Sequence, residues 1–273
     1  MSKYNTIDDR MKEAYEHRYR YYLTENLPVI IRLDGCHFHS FCKGMQKPFD
    51  KIFVETMQDT MKYLCENIMG CKFGFVQSDE ISLLLTNNDT KETQPWFGNN
   101  LQKIVSVSAA LCTMAFNNFF SKNVNRYWVD SFFEKQNEEN AKYFEKMKSK
   151  IGTAYFDARA FIVPENEVDN CFIWRQNDCT RNSVQSLAQF LYSQKEIHGI
   201  NTSQLQNKMF EEKGINWNDL TTVEKRGTCC YRKQVKVAGQ NGEMVTRNKW
   251  FLDTEMPILS QTPQFVLEKM KNV

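Results

Sequence analysis

A chain of 273 residues is long enough for one large domain or a domain with an appendage, and 41% hydrophobic with 25% charged residues is ordinary for a globular protein with a real core. A formal charge of +2 gives no global field toward nucleic acid or membrane, so any nucleic-acid site has to be local. The charged N-terminus has no apolar h-region and no uninterrupted apolar run of roughly 18 residues follows, so neither a secretory leader nor a spanning helix is expected; nine cysteines without a CxxC pair then read as reduced thiols in the cytoplasm.

In chain order, residues 8–25 lack helix breakers and mix charges with aromatics, which predicts an amphipathic helix. Pro28 opens a first strand, VIIRLDG (Val29–Gly35), whose β-branched apolar residues stop at a carboxylate and a glycine. A polar-aromatic loop with Gly44 and Pro48 follows. Its Cys36, His37, His39 and Cys42 match no common zinc spacing. From about residue 49 to 69 a helix is expected, with Phe53, Met57, Met61 and Leu64 on one face and Gly70 stopping it. Phe73–Leu85 reads as a hairpin that reverses at Ser78, Asp79 and Glu80.

A polar loop leads to a third helix over about 100–121, whose Ser106, Ser108, Ala109 and Ala110 permit close packing on a sheet. Residues 134–150 are charge-rich and predict a solvated helix or excursion, and Ala154–Pro164 is the next strand. Strand, helix, hairpin, helix and strand in this order predict an α+β fold of ferredoxin-like or polymerase-palm type. Farther on, a helix is expected within 166–194 with Val184, Leu187, Phe190 and Leu191 apolar, and a shorter one near 203–213. A final hairpin turns at Gly239–Gly242. It and its lead-in carry Lys225, Arg226, Arg232, Lys233, Lys236, Arg247 and Lys249, a basic stripe placed to track a phosphate backbone or to protect a sheet edge. The whole chain, 1–273, is expected to be one catalytic unit: a palm-like core over 26–165 and C-terminal helices and hairpin over 166–273.

The chemistry is carried by the strand ends. If the first strand and the hairpin are neighbours, Asp34 sits beside Asp79 and Glu80. Carboxylates that close repel one another unless cations neutralise them, and Mg²⁺ prefers such oxygen ligands while keeping positions open for phosphates. That is the arrangement of a two-metal phosphoryl- or nucleotidyl-transfer site; the alternative is two ordinary turns. Lys47, Pro48 and Asp50 precede a helix N-terminus, where a triphosphate is attracted by free N–H groups and the helix dipole. A solvated lysine at a helix start is the plainer reading.

Six stretches together resemble the tRNA(His) guanylyltransferase superfamily: RLDGCHFHSF (Arg32–Phe41), QKPFD (Gln46–Asp50), QSDEISLLL (Gln77–Leu85), WF with Lys103 downstream, FDARAFIVP (Phe156–Pro164) and WRQNDC (Trp174–Cys179). They fall in the family's order across residues 28–183. The resemblance implies a polymerase-palm fold and two Mg²⁺ ions held by Asp34, the carbonyl of Gly35 and Asp79, with Glu80 adjoining. It places Arg32, His39, Lys47, Asp50, Ser78 and Lys103 around nucleoside triphosphates. The implied chemistry is 3′–5′ nucleotide addition to a tRNA 5′ end, with ATP activating a 5′-monophosphate and GTP or another nucleotide then added. It also implies a homo-tetramer. The family's H-I-N-N-x-Y-N element is TRNSVQS here (Thr180–Ser186), with only Asn182 kept, which is similar to the guanylyltransferase-like branch that repairs 5′-truncated tRNAs on a template. RNA contacts are expected from Arg175, Arg181, Asn182, Lys208, Arg232 and Lys233. The rival readings are single G addition to tRNA(His), a palm-type nucleotidyl cyclase, for which no GGDEF stretch is present, and an RNA-binding module without catalysis.

Overall fold

The computed structural model describes residues 4–134, 138–238 and 243–271. After a short helix α1 (Ile7–Ala14), strand β1 (Val29–Gly35) leads through a single-turn helix α2 (Phe38–Phe41) to helix α3 (Lys51–Asn67). The hairpin β2 (Cys71–Gln77) and β3 (Glu80–Leu85) follows, then α4 (Leu101–Glu134), α5 (Glu138–Lys148) and β4 (Phe156–Ile162). The C-terminal part holds α6 (Val168–Leu191), α7 (Gln194–Ile197), α8 (Thr202–Lys213), α9 (Thr222–Arg226), the strands β5 (Thr228–Ala238) and β6 (Met244–Asp253), and α10 (Phe265–Lys271).

The six strands form one antiparallel sheet in the order β4-β1-β3-β2-β5-β6. Its first four strands with α3 and α4 are the βαββαβ unit that the sequence order predicts, and the C-terminal hairpin extends the sheet beyond β2. Strand alternation sends Ile31, Leu33, Ile81 and Leu83 to one face, where they meet Met57, Met61 and Leu64 of α3 and Phe116 and Phe120 of α4. Ile30, Phe73, Phe75 and Leu84 face the other way, onto Phe172 of α6 and Val266 of α10. The second half of α6 leaves the sheet and makes a third apolar cluster with Leu205 and Met209 of α8 and Trp217. One helix therefore joins the palm-like unit to the C-terminal helices.

Several expectations are corrected. Residues 8–25 do not form one helix: α1 ends at Ala14, a 3₁₀ turn covers Glu16–Tyr19, and Tyr22 pairs as a lone bridge with Asn100. The helix expected to end near residue 121 runs on to Glu134. An 18-residue window within Leu101–Asp130 reaches a mean hydropathy of 1.4, so by length and composition this helix is a candidate membrane span that the sequence reading did not foresee. Here it packs on α3 and β4 as a core helix through Ile104, Cys112, Phe116, Phe120 and Val124. In the segment read as solvated, α5 buries Phe144 and Met147. Phe190, expected apolar and inward, is exposed. The turn Gly239–Gly242 lies outside the described residues.

Arg175 fixes α6 to the sheet. Its Nε donates to Glu80 Oε1 at 2.6 Å and its Nη2 to Glu80 Oε2 at 2.7 Å, and Nη2 also reaches Asp178 Oδ2 at 2.8 Å. Both Arg175 and Glu80 are buried. Burial pushes the Glu80 carboxyl above its ordinary range, and the guanidinium pulls it back. Breaking a buried pair by removing one partner costs about 3–5 kcal/mol. Without Arg175 the carboxyl rises further, the folded state holds a proton that the unfolded chain releases, and stability falls as pH climbs through that range. Arg175→Met is thus expected to lower stability by about 3–5 kcal/mol at pH 8 and by clearly less at pH 5; urea unfolding at the two pH values reads both, and an equal loss at each would show that Glu80 ionisation is not the cause.

Candidate active site

The edge of the sheet at the end of β1 gathers charge because three strands terminate there in register. Asp34 pairs with Glu80 on one side and with Asp157 on the other. Residues directly opposite in an antiparallel pair point to the same face, so these three carboxylates lie on the α6 side of the sheet. Asp79 sits at the tip of the β2–β3 hairpin, where Ser78 takes a left-handed φ of +47° and donates its hydroxyl to Asp79 Oδ1 at 3.1 Å. Gly35 N–H donates to the Asp79 carbonyl at 3.1 Å, tying the hairpin tip to the end of β1. A β-carbon at Gly35 would stand 2.3 Å from the Phe38 ring, so only glycine lets that ring close over the strand end.

Burial, with the charge of Asp34 added, holds the Asp79 carboxyl above the usual carboxylate range. A backbone hydrogen bond and the Ser78 hydroxyl pull it back in part, while Arg159 attends the neighbouring carboxylates, with Nη1 3.6 Å from Asp34 and Nη2 3.5 Å from Asp157. An edge that is short of positive charge and offers only oxygen donors fits a hard divalent cation. Among the described residues no group of three or more His, Cys, Asp or Glu side chains is assembled for a metal. The oxygen donors nearest to one another at this edge are Asp34, Asp79 and the Gly35 carbonyl.

Beside the hairpin tip opens a cavity of about 710 Å³. Helix α2 and the loop before α3 supply His39, Cys42 and Lys47; β2 and its turn supply Gln77, Ser78 and Asp79; α6 supplies Asn182, Ser183 and Ser186. Burial pushes the thiols of Cys42 and Cys179 on its wall up to about 12, which leaves them protonated and unreactive at neutral pH. Gly227, with φ +78°, closes the inner end: a β-carbon there would come 2.4 Å from the Val76 carbonyl. The volume suits a nucleoside triphosphate-sized ligand, and Lys47 is exposed at its wall.

The structure thus brings Asp79, Ser78, His39, Lys47 and Asn182 to one cavity, joins Asp34 and Gly35 to it through the Gly35–Asp79 bond, and separates others. Asp50 touches the cavity, but its carboxylate accepts from the N–H groups of Gln46 (2.8 Å) and Phe53 (3.0 Å) and from the Tyr143 hydroxyl (2.7 Å). It caps α3 and holds the loop, and has little left to offer a nucleotide. Both Glu80 oxygens are taken by Arg175, so Glu80 anchors α6 beside the site, and Arg175 is buried away from any RNA. Arg32 lies two residues before Asp34 on the same face of β1, over the Trp174 ring and outside the cavity. Lys103 is remote: Thr113 Oγ1 accepts from Phe156 N–H at the charged edge, and Lys103 lies ten residues back along α4, about 15 Å at the helical rise.

Among the remaining expected RNA contacts, Arg181 is exposed and bonded to Asp178. Lys208 bonds Glu212 at 2.7 Å, Arg232 covers Trp250, and Lys233 stands 3.5 Å from the Phe251 ring centre. None of these lines the cavity. Asp157 and Arg159 were missed in the sequence. Their signal was present, since two polar residues at alternate positions of FDARAF share a face, but it becomes legible only once β4 is known to pair with β1.

Comparisons with known proteins identify the family and the fold. A protein-family model described as tRNAHis guanylyltransferase matches residues 8–164. The solved structure of a bacterial tRNA(His) guanylyltransferase-like protein in complex with ATP matches with a TM-score of 0.77 at 40% identity, over 97% of this chain and 100% of that one. A complex of such a protein with GTP matches with a TM-score of 0.74 at 40% identity, over 97% and 99%. Uncharacterized protein R259 of Acanthamoeba polyphaga mimivirus is 28% identical over 88% of this chain and 82% of its own length. The tRNA(His) guanylyltransferase 2 of Arabidopsis thaliana is 26% identical over 79% of this chain, which spans 38% of that longer protein. With the family model covering more than half of the residues and like structures matching almost the whole fold, the chain belongs to the tRNAHis guanylyltransferase family of nucleotidyltransferases.

Proposed function

We propose that this nucleotidyltransferase extends tRNA in the 3′–5′ direction, restoring missing nucleotides at a truncated 5′ end by pairing with the opposite strand. The observation that carries the reading is the joining of Asp34 and Asp79 at one sheet edge to a cavity of triphosphate size with Lys47 on its wall. The solved relatives described as complexes with ATP and with GTP support nucleoside triphosphates as its ligands.

The residues divide the work by chemistry. Lys47 meets the phosphates of the nucleotide in the cavity, while His39 and Ser78 border the reacting end. Asp34 and Asp79 gather the negative charge that would hold magnesium; when bound, that metal would lower the pKa of an attacking hydroxyl and offset charge on the leaving phosphate. A 5′-monophosphate is first joined to the nucleotidyl group of ATP, releasing pyrophosphate. The 3′-hydroxyl of the incoming nucleotide then attacks that activated 5′-phosphate and AMP leaves. Arg159, within reach of both Asp34 and Asp157, holds a positive charge beside the phosphate that changes hands.

The choice of repair over a single untemplated G rests on TRNSVQS. Asn182, Ser183 and Ser186 of this run form the α6 wall of the cavity, so the departure from the family's H-I-N-N-x-Y-N element falls where it bears on nucleotide choice. The family's own description favours the second reading, G addition to tRNA(His).

A 5′-monophosphorylated tRNA lacking its first nucleotide, incubated with Mg²⁺, ATP and each nucleotide in turn, separates them. Restoration of the complementary nucleotide alone is expected; addition of G whatever the opposite base would establish the second reading, and no extension with tRNA bound would leave a binding module. Asp34→Ala and Asp79→Ala are each expected to abolish extension while tRNA affinity, dominated by phosphate contacts, stays within about threefold. Unimpaired extension by both variants would remove the metal assignment. Lys47→Ala is expected to raise the KM for ATP by about tenfold or more, the worth of one charged hydrogen bond, and an unchanged KM would take Lys47 out of the site.

A further inference from the structure

Of the five tryptophans, Trp174 alone is strongly exposed, with 52% of its surface in solvent. It joins none of the three apolar clusters. An indole left in water without a packing role calls for another reason. Trp174 is held in place by two guanidiniums, with Arg175 4.5 Å and Arg32 5.5 Å from its ring centre. Arg175 is itself locked by Glu80, so the platform stands on a fixed support. Arg32 is buried at Nε, which has no hydrogen-bond partner.

The position of the ring is specific. Arg32 precedes Asp34 by two residues on one strand face, a separation of about 7 Å. Its cross-strand partner is Arg159, which reaches Asp34 and Asp157. Trp174 therefore stands next to the catalytic edge on the β1 side, whereas the cavity meets the same edge from the β2 side and does not include Trp174. Seven residues along α6, on the same face and about 10.5 Å away, Arg181 is 64% exposed in its side chain. An open ring flanked by cations suits the end of a nucleic-acid strand better than a free nucleotide, which needs enclosing walls.

We propose that Trp174 is the stacking platform for the terminal base at the 5′ end of the RNA acceptor, and that Arg181 meets a phosphate farther along the same strand. The proposal rests on the reading that the protein extends RNA 5′ ends. It assigns the cavity to the nucleotide and the exposed indole to the acceptor, so the two reactants reach Asp34 and Asp79 from opposite sides.

The test compares wild type with Trp174→Ala, Trp174→Leu and Trp174→Phe on the truncated tRNA, and repeats the series with a tRNA whose 5′-terminal residue is abasic. Loss of a stacked base is expected to raise the KM for tRNA by about 10- to 100-fold in the Ala and Leu variants, with kcat and the KM for ATP little changed. Phenylalanine, which keeps a π-face, is expected to restore most of the affinity. Wild type is expected to lose as much on the abasic tRNA, and the Ala variant to lose nothing more, because both changes remove one contact. If the Ala variant does not fold, the Leu variant carries the comparison.

An unchanged KM for tRNA, losses that multiply between Trp174→Ala and the abasic tRNA, or a shift in the nucleotide KM in place of the tRNA KM would each overturn the proposal. A wild-type protein that neither binds nor extends tRNA would overturn the proposed function and the platform together. Failure confined to the variant series overturns the platform alone.

Discussion

The antiparallel pairing that sets Asp34 opposite both Glu80 and Asp157 gathers like charges that repel one another, and the rest of the structure is arranged around holding them. Two devices do so. Behind the edge, Arg175 neutralises Glu80 in a buried two-pronged bond; in front of it, Arg159 reaches across to Asp34 and Asp157. Asp79 has only its Ser78 hydroxyl and backbone bonds to stabilise its charge, and burial keeps its proton held above the ordinary range. The edge is thus left with a local shortage of positive charge, which is the electrostatic condition for recruiting a divalent cation together with a polyphosphate.

This gives α6 three tasks along one length. Its first turns bury Phe172 against the sheet, its middle supplies Arg175 to Glu80 and lines the cavity with Asn182 and Ser183, and its last turns form a separate cluster with α8. The C-terminal helices are consequently tied to the sheet through α6. The anchor that supports the charged edge also sets the distance between the sheet and the cavity wall. The opposite face is braced in a similar way, since Asn117 of α4 bonds both backbone groups of Ala154 just before β4, fixing where Asp157 and Arg159 begin.

The framework was legible in the sequence because it is local and periodic. Apolar runs stopped by turn residues gave β1 and the hairpin, a three- and four-residue rhythm gave α3, and the element order predicted the ferredoxin-like unit. Asp34 stood out because it lies at the end of a strand, and Asp79 because it lies at a hairpin reversal. What stayed hidden depends on partners far away in sequence. Arg175 looks like any basic residue until Glu80, 95 positions earlier, is seen in its fork. Asp50 looks like a free carboxylate until Tyr143, from a segment read as solvated, donates to it. Lys103 carries the right charge, but the length and direction of α4 place it on the wrong turn. Helix ends failed for a related reason, because nothing in the local pattern marks Ser121 as an interior residue of a helix that continues to Glu134.

Gly227 sets a dimension that no contact with a ligand would reveal. Its left-handed backbone lets the end of α9 press against the Val76 carbonyl, and there is no space between them for a side chain. Any other residue would act as a spacer, lifting α9 off β2 and deepening the cavity at its inner end. The depth of the cavity is therefore set in part by the absence of a single carbon atom, at a position that contributes backbone and no side chain to the wall.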